Sequence, residues 1–261
     1  MILDKIRFKH KTGALSNKLS INIYKTTDST NTQAKLFAEA EESGNAIFIA
    51  NEQTAGRGRL GRSFVSNKNK GLYLSILLND KLPPEFATAL TTYMAVIASR
   101  AICKISGTQP KIKWVNDLYL GGKKCAGILT EGKANENGNT LDYAVVGIGI
   151  NICKQDFPED VKTIATTLED ECGKKINSIN LAALIVKDFF ENLHLVGTPE
   201  LTEEYRSQSF LIGEKITVIK PTSEYEATVK NITDKCELTL TLEDGTEEIL
   251  STGEVSVRPK A

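Results

Sequence analysis

The sequence pattern changes at Gly213, and this change limits the fold more than any other feature of the chain. Before it, helical and strand-like patterns alternate, whereas after it short runs of alternating apolar and polar residues follow closely. Residues 243–246, between two of these runs, contain the Asp-Gly pair typical of a β-hairpin. A chain of 261 residues has room for a large and a small domain. We therefore predict a large domain over 1–210 and a small β-barrel domain over 211–261.

The large domain has the pattern of an α+β fold. Strand-like runs cover 20–26, 46–50 and 72–78, and the longest helical pattern covers 84–105. Residues 111–151 consist of successive strand-like runs separated by short turns, which predicts a meander. We expect a mixed or antiparallel sheet flanked by helices.

Composition and charge exclude several classes of protein. The formal net charge of -1 gives the chain no general attraction for nucleic acid. Its five cysteines lack CxxC spacing, so they indicate neither a disulfide framework nor a zinc site. No run approaches the roughly 18 apolar residues that span a bilayer. We predict a cytoplasmic protein without a membrane segment.

A long polar segment, residues 51–71, contains the clearest sign of a binding site. Its residues 56–62, the arginine loop, hold three arginines and three glycines in seven positions. Glycine lets backbone N–H groups approach a ligand, and arginine offers planar donors to phosphate or carboxylate oxygens. The loop predicts an anion site, although a solvated turn or a nonspecific RNA contact has the same composition.

The meander supplies further candidate ligands. Asn116 and Asp117 end one predicted strand, where they either bind a nucleotide or metal or form an ordinary polar hairpin end. Lys123 and Lys124 begin the next strand. Because side chains alternate along a strand, only one of these lysines can face a ligand.

Two glycines, Gly147 and Gly149, lie on one face of a later strand and leave space for a flat group. The third glycine of a dinucleotide-binding fingerprint is missing, and the chain contains no GxxxxGK[ST] sequence. Rossmann and P-loop mechanisms are therefore disfavoured.

Six motifs occur in the order in which biotin–protein ligases carry them. They are 28–31 (DSTN), 53–62 (QTAGRGRLGR), 113–117 (KWVND), 124–129 (KCAGIL), 147–151 (GIGIN) and 253–258 (GEVSVR). The chain resembles this family over nearly its whole length. The resemblance implies a class II synthetase-like catalytic domain, with ATP, biotin and magnesium as ligands. It implies that biotin is activated to biotinyl-5′-AMP and transferred to a lysine of a biotin carboxyl carrier protein.

The resemblance also implies roles for individual residues. Ser29, Thr30, Asn31 and Gln53 recognise the ureido ring of biotin, while Arg57, Gly58 and Arg59 close over biotin and the adenylate. Lys124 bridges the biotin carboxylate and the phosphate. Asn116, Asp117 and Asn151 lie around ATP and its metal, and Arg258 reaches the nucleotide. The predicted catalytic residues are Lys124, Arg57, Arg59 and Asp117, the last as a candidate proton acceptor. The other predicted binding residues are Gly56, Arg62, Phe64, Trp114, Gly127, Gly147 and Gly149.

The chain departs from the family pattern at two positions. Val115 stands where proline is common, and Phe64 stands where tryptophan is common. Phenylalanine lacks an indole N–H and offers adenine a smaller stacking face, so ATP affinity is affected most.

The sequence also bears on the partners of the protein and on two rival functions. The few residues before Asp28 leave no room for a helix-turn-helix domain, which predicts a ligase without repressor activity or DNA binding. We expect the carrier to dock along an exposed sheet edge, and either a monomer or a homodimer is compatible with the sequence. A lipoate–protein ligase is the nearest rival, disfavoured by the arginine loop. A noncatalytic RNA-binding protein is the rival from another class.

Overall fold

The protein is described by a computed structural model that covers residues 4–40, 44–220 and 223–251, together with the backbone of 256–259. The described helices are Lys5–Thr12 (α1), Thr30–Glu39 (α2), Phe86–Ser106 (α3), Glu159–Lys162 (α4), Leu168–Cys172 (α5), Ser178–Glu191 (α6) and Pro199–Gln208 (α7). The described strands are Ser20–Tyr24 (β1), Ala46–Ala50 (β2), Gly71–Leu78 (β3), Lys111–Lys113 (β4), Asp117–Leu120 (β5), Lys123–Ala134 (β6), Leu141–Asn151 (β7), Lys215–Lys220 (β8), Ser223–Ile232 (β9), Leu238–Thr241 (β10), Glu247–Leu250 (β11) and Ser256–Pro259 (β12).

The large sheet has seven strands in the order β1-β2-β3-β7-β6-β5-β4. β1 and β2 are parallel, and every other pair of neighbours is antiparallel. The sheet is therefore mixed, as predicted. β2 and β3 are buried at every position, which explains why their sequences are nearly continuous apolar runs.

Helices cover both faces of the large sheet. α3 and α6 pack on one face, where they contact β3, β6 and β7, whereas α2 contacts β2, β3 and β7. A small apolar cluster that includes Ala34, Phe48 and Leu77 joins α2 to the sheet. Because α2 is short, much of its face of the sheet is left for a ligand.

Helix α3 is the one helix in the described part of the chain that is long and apolar enough to cross a membrane. Of its apolar window, 67% is buried inside the fold, against neighbours that include α6 and α7. Such burial is typical of the core helix of a globular domain. The helix ends where Gly107 adopts the left-handed conformation that favours glycine.

The sequence pattern predicts one helix that begins at Ala34 and another over 161–171, and the structure differs from both predictions. α2 begins at Thr30 because Ser29, in an extended conformation, occupies its N-cap position. The helical pattern over 161–171 forms two short helices, since Thr167 accepts a hydrogen bond from the Asp170 N–H and caps a new helix. The first difference brings Thr30 and Asn31 into the first turn of α2.

The C-terminal part of the chain forms a separate five-stranded antiparallel sheet in the order β11-β10-β9-β8-β12. The sequence predicts a small C-terminal β-barrel, and the structure confirms a separate small β unit there, in the form of this antiparallel sheet. This sheet packs against the rest of the chain through a shared hydrophobic core, to which its buried residues Ile216, Val218 and Leu238 belong. Polar contacts add to this packing. The Trp114 indole N–H donates to the Cys236 carbonyl at 2.8 Å, and Arg206 donates to the Ile232 carbonyl at 2.9 Å.

Candidate active site

A pocket opens on the α2 side of the sheet, between the first turn of α2, the arginine loop and the strands β5, β6 and β7. Most of the residues predicted from the sequence line it: Ser29, Thr30, Asn31, Gln53, Arg57, Gly58, Arg59, Arg62, Phe64, Trp114, Asn116, Asp117, Lys124, Gly127, Gly147 and Gly149. The structure thus brings together residues from motifs that lie far apart in the sequence.

Two predicted residues whose side chains the structure describes, Gly56 and Asn151, are not among those that line the pocket. Gly56 lies in the arginine loop, where a Cβ atom would come within 2.5 Å of the Phe64 carbonyl oxygen. Asn151 ends β7, and its buried Oδ1 has no hydrogen-bond partner among the described residues. Arg258 lies in β12, where its backbone pairs with Thr217 of β8. The Arg258 side chain lies outside the described residues.

One wall of the pocket is a polar cap formed by Ser29, Thr30, Asn31 and Gln53. The Thr30 N–H donates to Gln53 Oε1 at 2.8 Å, and the Thr30 hydroxyl lies 3.1 Å from the same oxygen. Gln53 Nε2 donates in turn to Ser66 Oγ at 3.0 Å. The Ser29 hydroxyl does not cap α2 and is part of the pocket lining. These bonds fix the orientation of the Gln53 amide.

The Asn31 side chain ties the polar cap to the sheet. Ser75 Oγ lies 2.6 Å from Asn31 Oδ1 and 2.7 Å from Thr30 Oγ1. Asn31 Nδ2 donates to the Leu129 carbonyl at 3.2 Å and to Glu131 Oε2 at 2.9 Å. Because both ends of its amide bind protein groups, Asn31 holds the first turn of α2 in place.

The space beside the two β7 glycines is filled by the protein itself, which corrects the expectation of room for a flat ligand there. A Cβ at Gly147 would lie 2.0 Å from Asn31 Oδ1. A Cβ at Gly149 would lie 2.5 Å from a ring carbon of Phe64. Glycine is therefore required for the Asn31 amide and the Phe64 ring to pack directly on the strand.

The arginine loop forms a second wall of the pocket. Backbone hydrogen bonds from Gly58 to Arg62 (2.7 Å) and from Arg62 to Arg59 (3.2 Å) close a tight turn. Leu60, inside this turn, has a φ of 56° and is 51% exposed. The loop is thus a narrow turn that projects long side chains.

Two arginines of the loop extend to different parts of the pocket. Arg57, half exposed, lies 3.4 Å from Glu131 Oε1. Arg59 Nη1 lies 3.5 Å from Asn116 Oδ1. Burial lowers the pKa of Arg59, while the nearby Asp117 charge opposes that shift. Arg59 is thus the more enclosed cation and lies close to the sheet.

Lys124 and Asp117 form an ion pair at the centre of the pocket, with a distance of 2.6 Å from Nζ to Oδ1. The Lys124 backbone is held on its other side, because its N–H donates to the Ile164 carbonyl and its carbonyl accepts from the Thr166 N–H. Lys123 is exposed. Only one of the two adjacent lysines therefore faces the pocket, as the alternation of side chains predicts.

Trp114 and Val115 anchor this part of the site to the rest of the molecule. The Trp114 indole N–H donates a hydrogen bond to the Cys236 carbonyl, so only the carbon face of the indole borders the pocket. The buried Val115 accepts a hydrogen bond from the Tyr205 hydroxyl at 3.1 Å through its carbonyl oxygen. Asn116 and Asp117 follow directly and are presented from a fixed backbone.

Sequence reasoning missed several residues at the site. Lys113 and Leu129 line the pocket, and Ser75 and Glu131 bind the polar cap. Ser75 is the one polar residue within β3, which is a signal for a buried polar contact. Glu131 follows Leu129 by two positions in β6, so strand alternation places it on the same face.

A mixed sheet with this strand order, its flanking helices and a separate C-terminal sheet together define the class II synthetase-like ligases. Residues 23–151 match the biotin/lipoate A/B protein ligase family, and residues 211–258 match the biotin protein ligase C-terminal domain. The bifunctional ligase/repressor BirA of Bacillus spizizenii is 31% identical over 95% of this chain and 77% of its own length.

Other relatives agree in sequence and in structure. The biotin–[acetyl-CoA-carboxylase] ligase of Mycobacterium tuberculosis is 28% identical, over 93% of this chain and 91% of its own. The biotin protein ligase of Aquifex aeolicus, solved in complex with biotin and ATP, has a TM-score of 0.78 and 29% identity, with coverage of 92% and 99%. The chain therefore belongs to the biotin/lipoate A/B protein ligase family and, within it, to the biotin protein ligases.

Proposed function

We propose that this enzyme activates biotin with ATP to biotinyl-5′-AMP and transfers biotin to a lysine of a biotin carboxyl carrier protein. The observation that carries the proposal is the contrast between two sets of residues in one pocket. A neutral, hydrogen-bonded polar cap and three cations, Arg57, Arg59 and Lys124, line the same pocket. Such a pocket suits a ligand with a neutral polar head and a carboxylate at its other end.

The neutral ureido ring of biotin is assigned to the polar cap. Ser29 and Thr30 present hydroxyl groups there, and the Gln53 amide is oriented by its bonds to Thr30 and Ser66. The Asn31 amide is already bonded to protein groups, so its contribution is to hold the other members of the cap in place.

In the first chemical step a carboxylate oxygen of biotin attacks the α-phosphorus of ATP and pyrophosphate leaves, so two anions have to be brought together. Two unit charges about 4 Å apart repel by roughly 4 kcal/mol at an effective dielectric constant of 20. Lys124, released from Asp117, neutralises the reacting oxygens, and the arginine loop adds the charges of Arg57 and Arg59. Fixed cations at the point where charge develops lower the barrier to adenylate formation.

The intermediate is a mixed anhydride that water hydrolyses, so it must be enclosed. The arginine loop closes over it and excludes water, and this closure requires a segment that can move. Gly56, Gly58 and Arg62 serve this purpose by shaping the turn.

In the second step the amine of the carrier lysine attacks the acyl carbon, and AMP leaves. The attacking amine must be neutral, so its proton has to pass to a base. Asp117 is the single carboxylate among the residues that line the described pocket, and we propose it as the acceptor. Its distance of 2.6 Å from Lys124 also lets it hold that lysine before ATP binds.

ATP is assigned to the end of the pocket near Asn116, with Phe64, Trp114 and Gly127 forming the walls, and Gly149 supports the Phe64 ring from behind. Magnesium binds through oxygen ligands and arrives with the phosphates, whose charge it neutralises. Asn151 is proposed to lie near this metal, and its buried Oδ1 has no hydrogen-bond partner among the described residues. The described residues contain no group of three His, Cys, Asp or Glu side chains able to hold a metal by themselves. Arg258 is proposed to reach the nucleotide from the C-terminal domain.

We further propose that residues 1–210 form the catalytic domain and that residues 211–261 form the small one, in a cytoplasmic enzyme. The carrier is proposed to dock at an exposed sheet edge, where main-chain pairing presents its lysine loop.

The net charge of -1 supports a ligase without repressor activity. A DNA-binding assay at low and physiological salt tests this point.

The decisive experiment incubates the protein with biotin, magnesium-ATP and an isolated biotin acceptor domain. We expect a mass increase of one biotinyl group on the acceptor, which disappears when ATP is omitted or the acceptor lysine is replaced by arginine. Lipoate offered in competition separates the nearest rival, because preferential lipoylation would identify a lipoate ligase. RNA binding that weakens steeply with salt, without any acyl transfer, would identify the noncatalytic rival.

A further inference from the structure

Glu131 lies where three elements of the site meet. It follows Gly127 and Leu129 on the pocket face of β6, and its side chain is only 19% exposed. One carboxylate oxygen accepts from Asn31 Nδ2 at 2.9 Å, and the other accepts from Lys35 Nζ at 2.9 Å. The second oxygen also lies 3.4 Å from Arg57 Nη1 of the arginine loop.

The charge of Glu131 is maintained by these neighbours. Burial raises the pKa of its carboxyl group, but hydrogen bonds from Asn31 and Lys35 and the charges of Lys35 and Arg57 more than offset that effect. The net pKa is lowered, so the group is an anion at neutral pH.

The three contacts of Glu131 are unequal. Asn31 and Lys35 belong to α2, which packs against the sheet, so they hold the carboxylate in one position. Arg57 belongs to a narrow turn that carries two further arginines, and its own side chain is 49% exposed. Like charges within a short loop repel one another, and a fixed anion at the edge of the pocket counteracts this repulsion.

We infer that Glu131 is a positioning residue that holds the arginine loop over the pocket through Arg57 and keeps it aligned with the polar cap through Asn31. This inference rests on the proposed function in one respect, namely that the loop encloses biotin and its adenylate. Glu131 itself acts through Arg57 and Asn31 and is not assigned a contact with the ligand.

The first test uses the ligand-free protein and does not depend on activity. Glu131→Gln keeps an oxygen that accepts from Asn31 but removes the charge that attracts Arg57. Trypsin cleaves after exposed arginines, and the cleaved loop peptides are quantified by mass spectrometry. We expect cleavage within residues 56–62 to be about 10-fold faster in Glu131→Gln, and no faster in the matched control Glu136→Gln, which changes an exposed glutamate outside the site. Equal cleavage rates in Glu131→Gln and the wild type would overturn the inference.

The wild type provides a second measurement that needs no folded Glu131 variant. A partly exposed ion pair is screened by salt, so loop cleavage should become several-fold faster between about 0.05 and 0.5 M sodium chloride. In Arg57→Gln, cleavage after Arg59 and Arg62 should be fast at both concentrations. A salt-independent wild-type rate would contradict the role of the pair.

The last measurement concerns the reaction itself. For Glu131→Gln we expect the KM for biotin to rise about 10-fold while kcat for pyrophosphate exchange changes by no more than about 2-fold. The rate at which biotinyl-5′-AMP escapes should rise as well. A loss of kcat alone would contradict positioning. If the wild type forms no adenylate, the proposed function fails, whereas the cleavage experiments still decide the role of Glu131.

Discussion

The two walls of the pocket, the polar cap and the arginine loop, differ in how firmly the protein holds them. The polar cap consists of the buried Ser29, Thr30 and Asn31 and the partly buried Gln53. The hydrogen bonds of Thr30, Asn31 and Gln53 run to other parts of the protein. The arginine loop is held by a few backbone bonds, and it carries long side chains and the 51% exposed Leu60. The cap therefore has a fixed shape before any ligand arrives, whereas the conformation of the loop depends on which anions are near it.

Because of this difference, the two walls recognise different properties of a ligand. Hydrogen bonds between neutral buried groups keep their geometry and discriminate by shape, because an unmatched ligand leaves them unsatisfied. Arginines on a turn respond to charge, and they close when an anionic ligand offsets their mutual repulsion. Lys124, on a strand of the sheet but facing the loop, lies between the two walls.

The largest effect is expected at Lys124. In Lys124→Ala, adenylate formation measured by pyrophosphate exchange should fall by about 10³-fold, because the cation nearest the reacting oxygens is lost. Lys123→Ala is the matched control, since this neighbour is exposed and should retain near-normal exchange. Circular dichroism should show both variants folded. Near-normal exchange in Lys124→Ala would remove the lysine from the mechanism.

The next largest effect tests the fixed wall. In Gly147→Ala the new methyl group would lie 2.0 Å from Asn31 Oδ1 and must displace that side chain. We expect biotin affinity, measured by calorimetry, to fall about 100-fold and the free energy of unfolding to fall by about 1–3 kcal/mol. The matched control is Gly132→Ala, where the nearest atom is a flexible Leu141 methyl at 3.2 Å. Unchanged affinity in Gly147→Ala would show that the position of Asn31 does not matter.

What the sequence can predict also differs between the arginine loop and the polar cap. The strands and the longest helix are predicted because their periodicity is local, and the 56–62 segment is recognised by composition. The bonds that make the cap rigid are different, because Asn31 meets Ser75 from 44 positions away and Glu131 from 100 positions away. Alternation along a strand indicates which face a side chain occupies, but not which side chain lies opposite it. For the same reason the Phe64 ring at Gly149 was not predicted.

A smaller effect is expected from the loop. In Arg59→Gly, pyrophosphate exchange should stay within several-fold of the wild type, because Lys124 remains. The adenylate should escape more readily, so that added bystander proteins become biotinylated on exposed lysines. The comparison is made with the wild type at equal adenylate production. Labelling confined to the carrier would show that Arg59 does not retain the intermediate.

The smallest effect is the pH dependence of the contact that joins the two walls. Hydrogen bonds and neighbouring cations lower the pKa of Glu131 despite its burial. A carboxyl group whose pKa is lower in the folded protein binds protons more readily in the unfolded chain. Its contribution to stability is therefore complete above the unfolded pKa of about 4.3 and is lost as the pH falls through the folded pKa.

Urea unfolding of the wild type and Glu131→Gln at a series of pH values measures this contribution. The wild type should be more stable by about 1 kcal/mol at neutral pH, since hydrogen bonds to a charged group exceed those to an amide. This difference should shrink towards zero in acid, once the Glu131 carboxyl is protonated. Glu136→Gln, an exposed glutamate in the loop between β6 and β7, is the control and should show little difference at any pH. A difference for Glu131→Gln that is constant across the series would mean that the side chain stabilises the junction by its shape, and that charge does not connect the loop to the cap.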